Sequence, residues 1–163
     1  MINQISRKVV LGIIVCIIAI GAASKQPSSA HKPTEVVKIF YKYHLSHDMG
    51  FTEASIKAKE QWFTIELLEM MLAKVKEPVP KYEDPDIDGD PFTDSQEYPQ
   101  HFKIKGCSIT GNTASVTVQV YPPERRRIIK VQMVNQAGLW QIDDMIYEDS
   151  GTLRKLLQLS GKA

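Results

Sequence analysis

Acidic residues at alternate positions are the first feature of this sequence with chemical meaning. Asp84-Pro85-Asp86-Ile87-Asp88-Gly89 puts carboxylates at places 1, 3 and 5 and a glycine at place 6, the opening of an EF-hand-type calcium loop, with Asp90 next in line. Calcium takes six to eight oxygen ligands, and such a loop needs glycine for its sharp turn. The pattern then departs from that motif, because place 12 is Ser95 where a bidentate Glu is expected, Glu97 lies further along, and Pro85 and Pro91 stiffen the segment. Two readings stay open: a calcium loop built on Asp84, Asp86, Asp88 and Asp90, or a surface loop whose aspartates cap turns and remain solvated. No cofactor is expected. His44 and His47 stand three apart on an expected helix with Asp48 beside them, a spacing that presents two imidazoles to a metal. Zinc needs at least a third ligand, His101 is isolated and there is no HExxH motif. The plainer reading has His44 hydrogen-bonded at the edge of the core and His47 solvated.

A second constellation centres on the segment Leu139 to Tyr147. Strand parity groups Trp140, Ile142, Asp144 and Ile146 on one face, so Asp144 is expected among apolar neighbours. Desolvation raises a carboxyl pKa, which is how a general base is prepared, and Tyr41, Tyr43 or His44 would serve as donor. Tyr41, His44, Trp140 and Asp144 are therefore the candidate ligand pocket. The structural alternative has Asp144 accepting hydrogen bonds that fix the sheet. Arg125-Arg126-Arg127, after Pro122-Pro123-Glu124, forms a basic tip suited to a phosphate, an anionic headgroup or an acidic partner surface, or else a charged edge that discourages strand pairing. Cys107 has no identifiable base beside it and reads as a small packed residue.

These groups need a scaffold, and composition bounds it. The 163 residues carry 20 Lys and Arg against 19 Asp and Glu, with 43% hydrophobic residues, which describes one globular domain rather than a nucleic-acid binder with a basic face. There is no P-loop, GxGxxG, GxSxG or CxxC, so nucleotide and common hydrolase chemistry lack support. Arg7 and Lys8 precede an uncharged stretch from Val9 to Ala23, with Gly21 and Ala23 at the −3 and −1 places of a signal-peptidase site. Residues 1–23 are expected to be a secretory signal, leaving a periplasmic or secreted domain with no membrane span. Fifteen helical residues span about 22 Å against a hydrocarbon core of about 30 Å, so an uncleaved anchor is the shorter-fitting alternative. Cleavage there leaves 18 basic against 19 acidic residues and Cys107 as the one thiol.

Residues 24–32 form a flexible linker and 33–160 the single domain. Val36, Val37, Phe40, Tyr41, His44 and Leu45 recur at helical spacing, with Thr34 as the expected N-cap and Gly50 as the stop. A weaker helix is expected from Thr52 to about Glu60. A third starts at Thr64, with Ile65, Leu68, Met71, Leu72 and Val75 on its inner side. Residues 78–100 are a Pro- and Asp-rich connection. Beyond it the period becomes two: strands are expected over His101 to Ile109, 114–121 with valines on one face, Arg127 to Asn135 and Leu139 to Tyr147, joined by turns at Gly111-Asn112 and Gln136-Ala137-Gly138. A short helix follows from Thr152. The result is an α+β domain with helices packed on one face of a curved antiparallel sheet of about four strands.

The run Asp88-Gly89-Asp90-Pro91-Phe92-Thr93-Asp94-Ser95-Gln96, the strand Leu139-Trp140-Gln141-Ile142-Asp143-Asp144-Met145-Ile146-Tyr147 and the ending Gly151-Thr152-Leu153-Arg154-Lys155-Leu156-Leu157 resemble a bacterial family of small exported domains. That family, domain of unknown function 3828 (DUF3828), is similar to the cone-like fold of nuclear transport factor two (NTF2-like). The resemblance covers roughly residues 33 to 158 and implies export and a cone more than any chemistry. The expected function is an exported, non-catalytic protein-binding or small-molecule-binding domain of the cell envelope, an immunity or inhibitor protein being one version. The alternative is a small isomerase or hydrolase using Asp144. Partners are an envelope protein or a small molecule, with no nucleic acid, and a homodimer through the sheet is a further expectation.

Overall fold

Alternation of small apolar and polar residues makes the strands. The computed structural model describes residues 31–47, 49–78, 87, 89–149 and 151–158. It has an α+β architecture: helices α1 (Pro33–Ser46), α2 (Glu53–Lys57) and α3 (Ile65–Lys74), strands β1 (Phe102–Thr110), β2 (Thr113–Val120), β3 (Arg127–Gln136) and β4 (Leu139–Tyr147), and helix α4 (Leu153–Gln158). The strands form an open antiparallel sheet in the order β1-β2-β3-β4. The expected signal and linker up to residue 30 lie outside the described residues, as do Asp48, Asp84, Asp86 and Asp88.

Local chemistry sets the helix boundaries. Lys32, not Thr34, occupies the N-cap position of α1, because Pro33 takes the first helical place, where its missing N–H costs nothing and its φ is already helical. The second helical stretch is shorter than expected: Thr52 caps α2 by accepting the Ser55 N–H, and the chain then tightens into a 3₁₀ turn over Glu60–Trp62. Thr64 caps α3 by accepting the Leu67 N–H. The inner stripe of α3 is Leu67, Met71 and Lys74, whereas Ile65 is 56% exposed. That reverses the expected placing of Ile65 on the buried side.

One face of the sheet is buried beneath the helices. Val116, Val118 and Val120 from β2, Ile129, Val131 and Met133 from β3, and Ile142 and Met145 from β4 share it with Phe40 and Tyr41 of α1. The register holds one consequential irregularity: Gln132 faces Asp144 while its neighbour Met133 faces Ile142, so Asp143 is the extra residue of a β-bulge. The bulge resets the alternation, bringing Ile142 and Met145 both to the core side. Asp144 therefore does not share a face with Ile142, as plain parity had it. It lies opposite Gln132, which donates to Ser115 at 2.9 Å on the face away from the core.

The free edge of β4 is covered. Phe63 forms a parallel bridge to Ile142, the Thr64 N–H donates to the Ile142 carbonyl at 2.9 Å, and Thr152 bridges Ile146. Asp143, pushed out by the bulge, accepts the Thr64 hydroxyl at 3.0 Å and the Arg154 guanidinium at 2.5 Å. One carboxylate thus fastens the start of α3 and the start of α4 to the same point on β4.

The turn between β3 and β4 holds Ala137 at φ 52° and Gly138 at φ 86°. Two-residue hairpins favour positive φ at both places, and a Cβ in that region costs about 1 kcal/mol. Replacing Ala137 by Asn, which tolerates this conformation, is expected to raise stability by roughly 0.5–1 kcal/mol. Chemical denaturation of the two proteins checks it, and an unchanged or lowered midpoint contradicts it.

Candidate functional site

Antiparallel connectivity gives the sheet two distinct ends. The turns at Gly111-Asn112 and Ala137-Gly138 lie at one, and Val120, Arg127 and Tyr147 at the other. At the second end a tight turn closes the core. Asp90 and Ser95 bridge each other, with the Asp90 N–H donating to the Ser95 carbonyl at 2.8 Å. Gly89 precedes it at φ 85°, and any Cβ there would meet the Ser95 carbonyl oxygen at 2.6 Å. The glycine is required by this close approach.

Three side chains from distant parts of the chain grip the turn. Tyr41 of α1 donates to the Phe92 carbonyl and Tyr147 of β4 to the Pro91 carbonyl, each at 2.8 Å. His44 Nε2 lies 2.7 Å from Asp90 Oδ2, and that oxygen also accepts the Thr93 hydroxyl at 2.6 Å. Asp90 Oδ1 accepts the Phe92 N–H at 3.0 Å. His44 and Asp90 are both buried, and the imidazole is stacked on Phe40 and edge-on to Phe92. Asp90 is thus not one of a row of solvated loop aspartates. Burial holds both tyrosine hydroxyls well above their ordinary pKa near 10, with nearby acidic groups, Asp90 among them, adding to the shift.

Two of the four expected pocket residues are consumed by this clasp, since Tyr41 and His44 are fully buried. Asp144 Oδ1 accepts the N–H groups of Met145 at 2.8 Å and Arg154 at 3.0 Å, so its carboxylate supports the first turn of α4. Trp140 alone among them lines an open groove. His47 stacks on Tyr43 and bonds its carbonyl. At the basic tip, Arg125 pairs with Asp149 at 2.8 Å on the surface and Arg127 opens β3. Cys107 is not packed as expected but lies in the exposed stretch 105–110 of β1; partial desolvation nevertheless raises its thiol pKa.

The groove lies at the opposite end from the clasp. It has a volume of about 840 Å³ and runs between the first turns of α1, the 3₁₀ turn with the start of α3, and the β3–β4 hairpin. Its walls include both tryptophans of the chain, Trp62 and Trp140. Trp62 is held edge-on by Phe40, with ring centroids 5.9 Å apart, and lies against Tyr43 at 5.0 Å. The next residue, Phe63, is bound to β4 through its carbonyl, which accepts Gln141 Nε2 at 2.9 Å. This wall is therefore fixed by hydrogen bonds to the sheet edge. Ile39 and Ile65 also line the groove, 41% and 56% exposed. Its lining mixes these apolar groups with His31, Lys57, Glu60, Gln61, Gln136 and Gln141. Sequence reasoning identified Trp140 but not Trp62, which sits in the 3₁₀ turn outside any helical periodicity, nor Ile39 on the exposed side of α1, and it placed Ile65 on the buried side of α3.

Searches against known protein families, curated proteins and solved structures found no match to this chain.

The clasp makes two measurable demands. A neutral tyrosine whose folded pKa is raised keeps its proton above pH 10 while the unfolded chain loses it. Stability is therefore full below about pH 10 and falls above it, by about 1.4 kcal/mol per pH unit for each of Tyr41 and Tyr147. Urea midpoints at pH 9 and pH 11 check this, and a flat profile contradicts it. Replacing His44 by Ala leaves Asp90 buried without its imidazole and is expected to cost about 3–5 kcal/mol. The exposed Ser46→Ala change should stay within about 0.5 kcal/mol. Equal effects of the two would contradict the reading of the clasp.

Proposed function

We propose that this chain is an exported, non-catalytic binding domain of the bacterial cell envelope, and that the groove between Trp62 and Trp140 holds its ligand, an envelope protein or a small molecule. The observation that carries the reading is the groove itself. It is preformed, fixed to the sheet edge through Phe63 and Gln141, and rimmed by two exposed isoleucines that the core does not use. Side chains of that kind left in water are a recurrent mark of an interaction site. The basic start and uncharged stretch from Val9 to Ala23 support export.

Helices packed on one face of a four-stranded antiparallel meander are compatible with the cone-like fold that the resemblance to DUF3828 and nuclear transport factor two implies. The face away from the core, which carries Ser115, Gln132 and Asp144, supplies the surface for a homodimer in this reading. The enzyme alternative drew on an Asp144 set among apolar groups. Its carboxylate instead accepts two backbone N–H groups, which favours binding over catalysis.

Passing an envelope extract over the immobilised full-length chain tests the assignment. Ile39→Glu with Ile65→Glu should abolish retention of the component that the unaltered protein holds, and Arg126→Glu should leave it bound. The opposite pattern, with the groove variant active and the tip variant inactive, would move the site to the Arg125–Arg127 tip.

A further inference from the structure

The two edges of the sheet are protected unequally. At β4 the Phe63 bridge, the Thr64 N–H and the Thr152 bridge occupy the outer side. β1 is the other edge, and among the described residues it pairs with β2 alone. Its first half carries the usual guards against strand addition: Lys103 and Lys105 are exposed, and a bulge at Lys105 breaks the regular ladder. The second half has neither guard. The stretch Gly106-Cys107-Ser108-Ile109-Thr110 is uncharged, regularly paired with β2 and exposed throughout, Ile109 being 57% exposed.

The hairpin fixes which backbone groups are free. Thr110 and Thr113 flank the turn Gly111-Asn112 and pair with each other. Pairing across a two-residue turn is made by the backbone groups of those two residues themselves, and bonded and non-bonded pairs then alternate along an antiparallel ladder. Thr110, Ser108 and Gly106 therefore turn their N–H and C=O groups towards β2, and Cys107 and Ile109 turn theirs outward. An extended backbone is what satisfies donors and acceptors in that alternation. The side chains of Cys107 and Ile109 are exposed, whereas the residues opposite them on β2, Val116 and Ala114, are buried.

We infer that this edge pairs with a second copy of the chain, the two β1 strands running antiparallel about a two-fold axis at Ser108. In that register Cys107 of each copy exchanges both backbone hydrogen bonds with Ile109 of the other. The exposed Ile109 then lies beside Cys107 of the second copy, and Thr110 stands opposite Gly106, where a Cβ would meet nothing within 4 Å. Lys105 falls opposite Gly111, so no lysine meets its own image. Centring on Cys107 would set Ile109 against the bulge, and centring on Ile109 would set Cys107 against the turn, so the stretch admits one self-pairing register. Charge suits self-association too, because 20 basic against 19 acidic residues leave two copies little mutual repulsion. A contact this short makes a weak, concentration-dependent dimer. It is independent of the groove and distinct from the contact through the outer face of the sheet.

Ser108 at the axis supplies the test. Facing residues of a non-bonded antiparallel pair have Cα atoms about 4.5 Å apart, within disulfide reach, whereas the two copies of Thr110 would lie about 14 Å apart along the strands. Two full-length variants, each with Cys16→Ser and Cys107→Ser, carry a single thiol through Ser108→Cys or Thr110→Cys, both at exposed positions. Under mild oxidation Ser108→Cys is expected to give a reducible dimer on non-reducing gels at least about tenfold faster than Thr110→Cys. Adding Ile109→Pro, which deletes an outward N–H and is tolerated on an edge strand, should bring the first rate down to the second with far-UV circular dichroism unchanged. If the proline variant loses its fold, the ratio of the two thiol rates decides alone. Equal rates for the two thiols, or a rate that a folded Ile109→Pro variant leaves unaltered, overturns the inference. So does a purified chain that fails to cross-link while an envelope extract slows hydrogen exchange along β1, which would give the edge to a partner's strand.

Discussion

The contact between His44 and Asp90 is the constraint on which the rest of the fold depends. It joins α1 to a turn 46 residues further along, and the hydroxyls of Tyr41 and Tyr147 tie the same turn to α1 and β4. Each partner depends on the others in a buried setting. The carboxylate needs the imidazole, the Thr93 hydroxyl and the Phe92 N–H, because a charge removed from water without them would cost several kcal/mol. The arrangement is not fully satisfied: with Nε2 turned to the carboxylate, His44 Nδ1 is buried without a hydrogen-bond partner. The turn is held in place in spite of that cost. With Phe92 driven into the cluster of Phe40, His44 and Phe63, one end of the core is sealed.

Sealing one end gives the other its character. The later half of α1 is committed to the clasp, and its first turns, with Val36 and Ile39, stand over the β3–β4 hairpin, where none of the described residues fills the space. The wall opposite is held by a different device, the Asp143 bulge. By pushing one carboxylate out of the strand, β4 gains a point that Thr64 and Arg154 both bind, and α3 and α4 are set against it. Trp62 and Phe63, just before Thr64, are placed by the same attachment. The groove is thus the space left between two rigid fastenings, which accounts for its apolar groups remaining open instead of collapsing inward.

Much of the fold is legible in the sequence, and the omissions have physical causes. The valines of β2 at alternate places and the glycines of the two hairpin turns identify the meander and its register almost to the residue. The bulge is invisible, because Ile142-Asp143-Asp144-Met145 satisfies simple alternation from either side and only pairing with β3 shows which aspartate is extra. Asp90 reads as one member of an acidic run, since the partner that buries it is remote in sequence and a histidine on a helix does not announce which carboxylate it will meet. The candidate site was half legible. Trp140 follows from the strand, while Trp62 sits in a 3₁₀ turn and Ile65 at a helix start, and neither position has a periodicity that separates a buried group from an exposed one.

The central claim is that function resides in the open end of the domain and structure in the closed end. Hydrogen exchange of the full-length protein, with and without the envelope component it retains, tests it most directly. The account predicts slowed exchange in segments 36–39, 60–65 and 136–141, which border the groove, and unchanged exchange at 125–127 and along β1. Protection at the arginine tip or the β1 edge, with the groove segments unaltered, would contradict it.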